Sequence, residues 1–284
     1  GARVLAPEIS DSAIAGVRVF GGVMPADSVI IATGGLSYPG TGSTGDGYGF
    51  ARAAGHTVTP LGPSLCGMIT DEKWPAALSG LSLKNVKCTL ARPGGKALAS
   101  ETGEMLFTHK GVSGPIILTL SKTAAEAGGP LVLVIDLKPY IPAEELENSF
   151  RQAFCGKGLL KGYMEKRLPK AMVPALPVIK EACGLPLSGI TAKQRKQLVS
   201  ARKNGNLSKK SLCPIEEAII TKGGVSTAEV DPKTMASRIV RGLYFCGEIL
   251  DIDAVTGGYN LQAAFSTGYV AGINAALSKE EEKR

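Results

Sequence analysis

The chain has 284 residues, a net charge of +7, 44% hydrophobic residues and 20% charged residues. This composition can bury a core and excludes a disordered or collagen-like chain. No apolar run reaches the roughly 18 residues that span a bilayer, and an aromatic content of only 5% argues against a stacking surface for single-stranded nucleic acid.

The opening segment predicts strands joined by a turn. Hydrophobicity alternates from Ala13 to Phe20, and the pair Gly21-Gly22 follows as a turn. Asp27 to Ala32 holds a short apolar run that is typical of a buried parallel strand, ended by Gly34-Gly35. Two glycines at a strand end let a flat or charged ligand lie against the main chain, although strands also end in Gly-Gly for steric reasons alone.

A glycine-rich loop comes next. Residues 40–45 (Gly-Thr-Gly-Ser-Thr-Gly) match the dinucleotide pattern G-x-G-x-x-G formally, but Leu36 to Pro39 separate them from the strand and no acid lies near Pro60. We therefore interpret the loop as leading into a helix over Tyr48 to Ala54, with Gly55 as its C-cap. His56 to Thr59 is predicted as a further strand.

The sequence pattern changes twice in the middle of the chain, first to strands and turns and then to helices. Between Leu65 and Leu137, short apolar stretches alternate with turns that contain Gly and Pro, which indicates a β-rich domain. Pro142 and the acids after it predict a helix start, and helical segments continue to about Lys203. Thr191 is the predicted N-cap of the last helix.

The segment from Arg151 to Lys210 is strongly basic. It holds 14 Lys and Arg but only two acids, Glu165 and Glu181. Such a block is either the solvated face of several helices or the contact surface of an anionic-polymer or RNA-binding module. Because the segment has few aromatic residues and no known nucleic-acid motif, the sequence favours the first interpretation over a nucleic-acid partner.

The most informative stretch runs from Gly247 to Gln262. Leu243 to Cys246 is a candidate buried strand, carboxylates follow it directly, and the turn Thr256-Gly257-Gly258 opens a helix over Asn260 to Leu277. A carboxylate at a strand end accepts hydrogen bonds from polyol hydroxyls, and a bare helix N-terminus attracts negative charge. The pattern suits the ribityl chain and the pyrimidine edge of a flavin. A structural turn with solvated acids is the alternative.

Cysteine usage predicts a cytoplasmic protein. The six cysteines form no CxxC pair, which argues against a redox dithiol, a zinc site or a disulfide framework. With His56 and His109 as the two histidines, the sequence predicts no metal site.

Three groups of residues resemble one known family. They are Ala32-Thr33-Gly34-Gly35-Leu36-Ser37-Tyr38-Pro39 with the loop after it, Phe107-Thr108-His109-Lys110-Gly111-Val112-Ser113-Gly114-Pro115, and Thr221-Lys222-Gly223-Gly224-Val225 followed by Cys246-Gly247-Glu248 and Gly257-Gly258-Tyr259-Asn260. In order and spacing the chain resembles the C-terminal two-thirds of the bacterial NAD(P)/FAD-dependent oxidoreductases of the aminoacetone-oxidase type. That family includes a 3-dehydro-bile-acid reductase.

The resemblance implies an α/β fold, namely part of an FAD-binding, two-dinucleotide-type Rossmann-like domain with an inserted β-barrel and a helical subdomain. It implies an FAD-binding domain in residues 1–64 and 225–284. The inserted domain would take residues 65–224, with the barrel at 65–141 and 204–224 and the helices at 142–203.

The same resemblance implies a flavin-dependent oxidoreductase with FAD as cofactor, NAD(P)H as a candidate electron donor and a small-molecule substrate. Thr33, Gly34 and Gly35 would line the FAD crevice, and Gly247 and Glu248 would contact the ribityl chain. The main chain of the next group would face the flavin ring: Gly257, Gly258, Tyr259, Asn260 and Leu261.

Two side chains are candidates for catalysis. Tyr38 could donate a proton near the flavin, and His109, beside Lys110, could polarise a carbonyl or bind an anion. A packed tyrosine and a structural histidine are the alternative interpretations. The sequence does not indicate the substrate, the electron acceptor or the oligomeric state.

One element of the family has no counterpart in these residues. The family begins with a strand, a G-x-G-x-x-G turn and a helix that neutralises the FAD diphosphate, whereas the residues after Gly1 resemble the middle of the FAD domain. We therefore expect that the chain is a C-terminal portion or that an N-terminal segment is supplied separately. On its own, the chain is expected to bind FAD weakly and to be inactive.

Overall fold

The computed structural model describes residues 2–281, with side chains to residue 277; Gly1 and residues 282–284, the outer ends of the predicted domains, lie outside it. The chain forms two compact units. Unit 1 comprises the residues up to Leu65 and from Pro214 onward, and unit 2 is Cys66–Cys213. No helix within the described residues is long and apolar enough to cross a membrane.

Strands and α-helices are numbered in chain order. The strands are β1 (Val4–Ser10), β2 (Ala13–Val19), β3 (Gly22–Pro25), β4 (Val29–Ile31), β5 (Gly62–Ser64), β6 (Met68–Thr70), β7 (Ser82–Ala91), β8 (Ala97–Phe107), β9 (Gly111–Ser113), β10 (Leu131–Asp136), β11 (Gly205–Leu212), β12 (Ile220–Lys222) and β13 (Leu243–Phe245). The helices are α1 (Asp46–Ala53), α2 (Pro115–Ala127), α3 (Ala143–Ala153), α4 (Leu160–Glu165), α5 (Met172–Ala175), α6 (Pro177–Ala182), α7 (Ala192–Lys203) and α8 (Tyr259–Glu281).

Unit 1 joins the two ends of the chain through small sheets. Strands β1, β2 and β3 form an antiparallel sheet, β5 pairs antiparallel with β12, and β4 pairs parallel with β13. The apolar run predicted as a buried parallel strand forms the parallel strand β4, which is shorter than the predicted Asp27 to Ala32 and is buried only at Ile31. Ile31, Leu243 and Phe245 are buried in the core that this pair helps to form.

The glycine-rich loop leads into α1, as the sequence predicts. Gly45, at φ +81°, is the residue before the helix, and Gly55 after it has φ +85°. The predicted strand over His56 to Thr59 is wrong, because this segment makes only a single bridge, between Val58 and Val225. Its other neighbours are a carboxylate and a glycine turn, which do not offer the continuous ladder that a strand needs.

Unit 2 is a barrel with a helical region. Six antiparallel strands close in the order β10-β11-β6-β9-β8-β7, and α3 to α7 lie between β10 and β11 in the chain. The α/β fold with an inserted β-barrel and helices is therefore confirmed. Unit 2 ends at Cys213 rather than at residue 224, because β12 pairs with β5 and so draws residues 214–224 into unit 1.

Local signals place the helices of unit 2. Pro142 precedes α3, and α7 begins with the predicted N-cap at Thr191. Thr191 Oγ1 accepts the backbone N–H of Gln194, and Gln194 Oε1 accepts the backbone N–H of Thr191. This reciprocal capping box satisfies two backbone donors that the first turn of a helix leaves open.

His56 ties several segments of the unit 1 core together. Its buried ring places Nε2 2.7 Å from Ser237 Oγ and Nδ1 3.2 Å from Glu229 Oε2, and it meets Phe245 edge-on with ring centroids 4.7 Å apart. The arrangement resembles a Ser-His-acid triad. However, Ser237 Oγ already accepts two backbone N–H groups of its own turn, so its role here is to anchor that turn.

Burial lowers the pKa of His56 below its ordinary value of 6.5, because the charged ring would lose its hydration. Below pH 6.5 the unfolded chain therefore binds more protons than the folded chain. We expect the free energy of unfolding to be highest above this pH and to fall as the pH drops from it toward the folded-state pKa. Denaturant titrations at a series of pH values measure this, and His56→Gln should flatten the profile in that window.

Glu229 provides an internal comparison for the same experiment. Hydrogen bonds from Thr57 lower the pKa of Glu229, so its contribution is lost only as the pH falls below the ordinary range of a glutamate. A profile that is unchanged by His56→Gln in the mildly acidic window would contradict the role of His56.

Candidate functional site

The ends of two parallel strands meet at one edge of unit 1. Val29 is in register with Leu243, Ile31 is in register with Phe245, and Cys246 N donates to Ile31 O at 3.2 Å. Because both strands run in the same direction, the residues that follow them come together. The pairing thus joins the segment after β4 to the segment after β13, which begins with Cys246-Gly247-Glu248.

A hydrogen-bonded network fixes the carboxylate at this edge. Thr221 N donates to Glu248 Oε1 at 2.7 Å, and Thr221 Oγ1 accepts the N–H groups of Leu36 at 2.8 Å and Ser37 at 3.1 Å. A Cβ at Gly35 would collide with the Thr221 side chain and lie 2.9 Å from Glu248 Oε1. Glycine is required there by this close approach, and within the described residues Oε2 of Glu248 accepts no hydrogen bond.

A cavity of about 410 Å³ lies within unit 1 beside this carboxylate. Its walls are mainly aliphatic side chains and glycines. The lining residues are Leu65, Ile219, Ile220, Gly247, Glu248, Ile252, Val255, Thr256, Gly257, Gly258, Asn260, Leu261, Ala263, Ala264 and Thr267. One carboxylate and no Lys, Arg or His belong to this set. The cavity therefore suits a flat, largely apolar ring with hydroxyl groups at one end.

The start of α8 forms part of the cavity wall. Gly257 and Gly258 have φ values of +117° and +89°, and the first helical turn closes with Gln262 N donating to Gly258 O. The first backbone N–H groups of a helix have no acceptor within it, which gives this end a partial positive charge. The side chain of Asn260 holds the loop before it, since its amide both accepts from Ala254 N and donates to Ala254 O.

Two of the three glycines that line the cavity, Gly247 and Gly258, face open space. A Cβ at Gly258 would meet nothing within 4 Å, and one at Gly247 would meet only Ala264 Cβ at 3.9 Å. A larger side chain at either position would therefore extend into free volume rather than into the protein. This glycine-lined wall, Glu248 and the N-terminus of α8 fit the ring and ribityl parts of FAD. The lining holds no cation to neutralise a diphosphate.

Four of the ten predicted cofactor residues do not line the cavity. The Thr33 hydroxyl is buried against Gly47 and has no partner among the described residues. Gly34, at φ +72°, packs against Ser43, and Gly35 packs against the Thr221–Glu248 contact. Tyr259 lies on the exposed side of α8. The other six, from Gly247 to Leu261, line the cavity.

The two candidate catalytic residues lie in different units. Tyr38, in unit 1, is half exposed at φ +50° beside the glycine-rich loop and is not among the cavity-lining residues. His109, in unit 2, is exposed in the turn between β8 and β9. Both side chains are exposed to solvent, and the structure assigns a catalytic role to neither of them.

Three residues of this edge were missed by the sequence analysis. Thr221 belongs to a motif that the sequence analysis used only for its family resemblance. Thr267 Oγ1, in the third turn of α8, accepts the backbone N–H of Gly247 at 3.0 Å. Tyr48 is buried, and its hydroxyl has no partner among the described residues. Burial, followed by the charges of Glu248 and Asp251, raises the pKa of Tyr48, so it stays protonated.

Comparisons with known proteins identify the family. A sequence model of the HI0933-like protein Rossmann domain matches residues 2–274. A 3-dehydro-bile acid delta(4,6)-reductase of Clostridium scindens is 34% identical, over 97% of this chain and 68% of its own length. Ribosomal RNA dihydrouridine synthases of Haemophilus influenzae and Escherichia coli are 34% and 30% identical, over 87% and 89% of this chain.

The chain therefore belongs to the HI0933-like family of FAD-dependent Rossmann proteins, which confirms the resemblance seen in the motifs. It spans 60% and 62% of the lengths of the two synthases. Because these two relatives are named for ribosomal RNA, a nucleic-acid partner is less strongly disfavoured than the sequence alone indicates.

Thr221 provides a test of the network that fixes Glu248. Thr221→Val would leave the N–H groups of Leu36 and Ser37 without an acceptor, and each unsatisfied buried donor costs about 1–3 kcal/mol. We expect the free energy of unfolding to fall by at least that amount in denaturant titrations. Thr221→Ser keeps the hydroxyl and is the matched control. Equal losses in the two variants would contradict the hydrogen-bonding role.

Proposed function

We propose that this chain is the larger part of a flavin-dependent reductase and that its unit 1 cavity holds the isoalloxazine and ribityl parts of FAD. The observation that carries the proposal is the position of Glu248. One carboxylate oxygen is fixed by Thr221 N, and the residue lines the cavity together with Gly257 and Gly258. A fixed acceptor beside a glycine wall suits a polyol attached to a flat ring.

In this proposal the residues of the chain position and stabilise the cofactor. Glu248 Oε2 would accept hydrogen bonds from ribityl hydroxyls, and the first N–H groups of α8 would stabilise the negative charge that a flavin ring gains on reduction. The aliphatic walls, including Ile252 and Val255, exclude water. Bound FAD supplies hydride transfer, which no side chain of this protein can provide.

The names of the relatives suggest the class of substrate. A delta(4,6)-reductase and a dihydrouridine synthase both add hydrogen across a carbon–carbon double bond. We extend this chemistry to the present chain, with reduction of an electron-poor double bond in a small molecule and NAD(P)H as the source of the hydride. The reaction also needs a proton; of the two donors that the sequence suggests, Tyr38 belongs to the unit that holds the cavity, and neither Tyr38 nor His109 lines it.

The proposal includes a further polypeptide segment. The cavity lining holds no cation for the FAD diphosphate, and β4 pairs with β13 alone among the described strands. The exposed side of α8 carries four large apolar side chains at a spacing of four, which are Leu261, Phe265, Tyr269 and Ile273. We attribute to the extra length of the relatives a strand and helix that cover these surfaces and bind the diphosphate. The chain alone then recognises only the ring and ribityl parts.

Titrations with riboflavin and with FAD test this assignment. We expect this chain to bind both ligands weakly and with similar affinity, because both share the part that the cavity contacts. Gly258→Leu should weaken binding roughly tenfold or more, since the side chain would enter the cavity. Flavin fluorescence measures both effects.

Gly21→Leu is the matched control. Gly21 also has a positive φ, +101°, and open space at its Cβ position, but it is not among the cavity-lining residues. Unchanged riboflavin binding by Gly258→Leu would contradict the placement of the ring. Much tighter binding of FAD than of riboflavin by this chain would show that the diphosphate site lies within these residues.

A second candidate function is reduction of a base within RNA. Two relatives are named ribosomal RNA dihydrouridine synthases. In unit 2, ten of the 14 Lys and Arg residues between Arg151 and Lys210 are exposed, which provides a surface for phosphates.

The salt dependence of RNA binding distinguishes this function. Lys193 and Lys196 are both exposed on α7. For a fluorescent ribosomal RNA fragment, the double variant Lys193→Glu/Lys196→Glu should bind more weakly and lower the slope of log K against log salt by about 2, or about 1 for each lost phosphate contact. Lys233→Glu, at an exposed position in unit 1, is the control. An unchanged slope in the double variant would contradict this surface.

A further inference from the structure

Helix α7 directs three basic side chains toward the interior of unit 2, and two of them are paired. Arg195 lies 3.6 Å from the Glu147 carboxylate, and Lys203 lies 2.6 Å from the Asp136 carboxylate. Lys203 also donates to two backbone carbonyl groups. The chain thus places a carboxylate beside each of these partly buried cations, as burial of charge requires.

Arg202 is the third and the most buried of these cations. It is 3% exposed, its Nε has no hydrogen-bond partner, and within the described part of the chain its guanidinium makes no ion pair. The guanidinium lies 5.6 Å from the centre of the Phe150 ring. A cation–π contact at this distance offsets only a small part of the cost of removing a guanidinium from water. No carboxylate among the described residues forms an ion pair with Arg202.

The surroundings of Arg202 add a second cation rather than an acid. Arg167 stacks on Tyr163, with its guanidinium carbon 3.7 Å from the ring centre, and the Tyr163 ring in turn packs against Phe150. Burial lowers the pKa of Arg202; the neighbouring Tyr163 acts in the opposite direction, and the positive charge of Arg167 lowers the pKa further. Two guanidinium groups on neighbouring aromatic rings, without a carboxylate partner, form a local excess of positive charge.

We propose that Arg202, together with Arg167, is a binding site for a phosphate group in the helical part of unit 2. An external anion would pair the buried charge that Phe150 alone does not balance. Phosphate is favoured over carboxylate because it offers more acceptor oxygens and more negative charge, so that two guanidinium groups can bind it at once. The site is separate from the unit 1 cavity and does not depend on the FAD assignment.

The site extends the description of the basic surface of unit 2. Exposed lysines attract any polyanion, whereas a buried arginine fork fixes one phosphate in a defined position. Phosphate groups of this kind occur both in a nucleic-acid backbone and in a free nucleotide, and the experiment separates these two sources.

Replacement of Arg202 distinguishes a ligand site from a structural cation. At constant ionic strength, with chloride as the exchanged anion, inorganic phosphate should raise the melting temperature of the parent protein by about 2–4 °C. Arg202→Met, of similar length and without charge, should abolish this shift and should melt at least as high as the parent without phosphate. If Arg202→Met instead melts lower and keeps the phosphate shift, the proposal is wrong.

Two further variants, both at exposed positions, test phosphate binding without changing the core of unit 2. Arg167→Gln changes an exposed residue and should weaken phosphate binding, as measured by isothermal titration, without altering the melting temperature in its absence. Lys196→Gln, at an exposed position on α7, should leave phosphate binding unchanged. Equal phosphate affinities for the parent, Arg167→Gln and Arg202→Met would overturn the proposal.

Competition between inorganic phosphate and two phosphate esters identifies the source of the bound phosphate group. A short ribosomal RNA oligonucleotide that displaces inorganic phosphate from the parent, but binds Arg202→Met more weakly, identifies a nucleic-acid backbone as the source. Displacement by a mononucleotide and not by the oligonucleotide identifies a free phosphate ester. If neither displaces phosphate, the proposed phosphate-ester ligand is excluded.

Discussion

The pairing of β4 with β13 is the constraint on which the site of unit 1 depends. These short strands come from opposite ends of the chain, and their parallel register brings the residues that follow each of them to one edge. The hydrogen bond from Thr221 N to Glu248 then fixes a carboxylate there, and the main chain of residues 36 and 37 is held by the same threonine. A shift of register would move the main chain of residues 36 and 37 away from Thr221, the residue that also fixes Glu248.

Much of this arrangement is visible in the sequence, because the signals are local. Apolar runs that end in Gly-Gly or in Gly-Glu identify strand ends, and Thr191 with Gln194 identifies a helix start. The role of Thr221 could not be predicted, since its partners lie far away in the chain. The same holds for Thr33, whose side chain faces α1 instead of the cavity, and for the segment from His56 to Thr59, whose bonding is set by Glu229 and Gly224. The direction of a side chain depends on tertiary packing, which the hydrophobic periodicity and the residue composition of the sequence do not encode.

The two units differ in how the electrostatic cost of burying titratable side chains is reduced. In unit 1, burial keeps His56 and Tyr48 neutral, so no counter-charge is required. In unit 2 the buried groups of α7 are basic side chains, and two of them lie beside carboxylates of α3 and β10. Neutralisation by a shift of pKa is not available to arginine near neutral pH, because its ordinary pKa is above 12. An unpaired buried arginine is therefore a stronger indication of an external anion than a buried histidine would be.

The two points where the chain leaves unit 1 and re-enters it lie beside the cavity. The chain leaves unit 1 after Leu65 and returns at Pro214, and Leu65, Ile219 and Ile220 line the cavity near these two crossings. Ile219 N donates to Leu65 O, so the outgoing and returning segments are bonded to each other at the cavity wall. Thr221, which follows Ile220 in β12, fixes Glu248, so the returning segment supplies both part of the cavity wall and the hydrogen bond that holds the carboxylate.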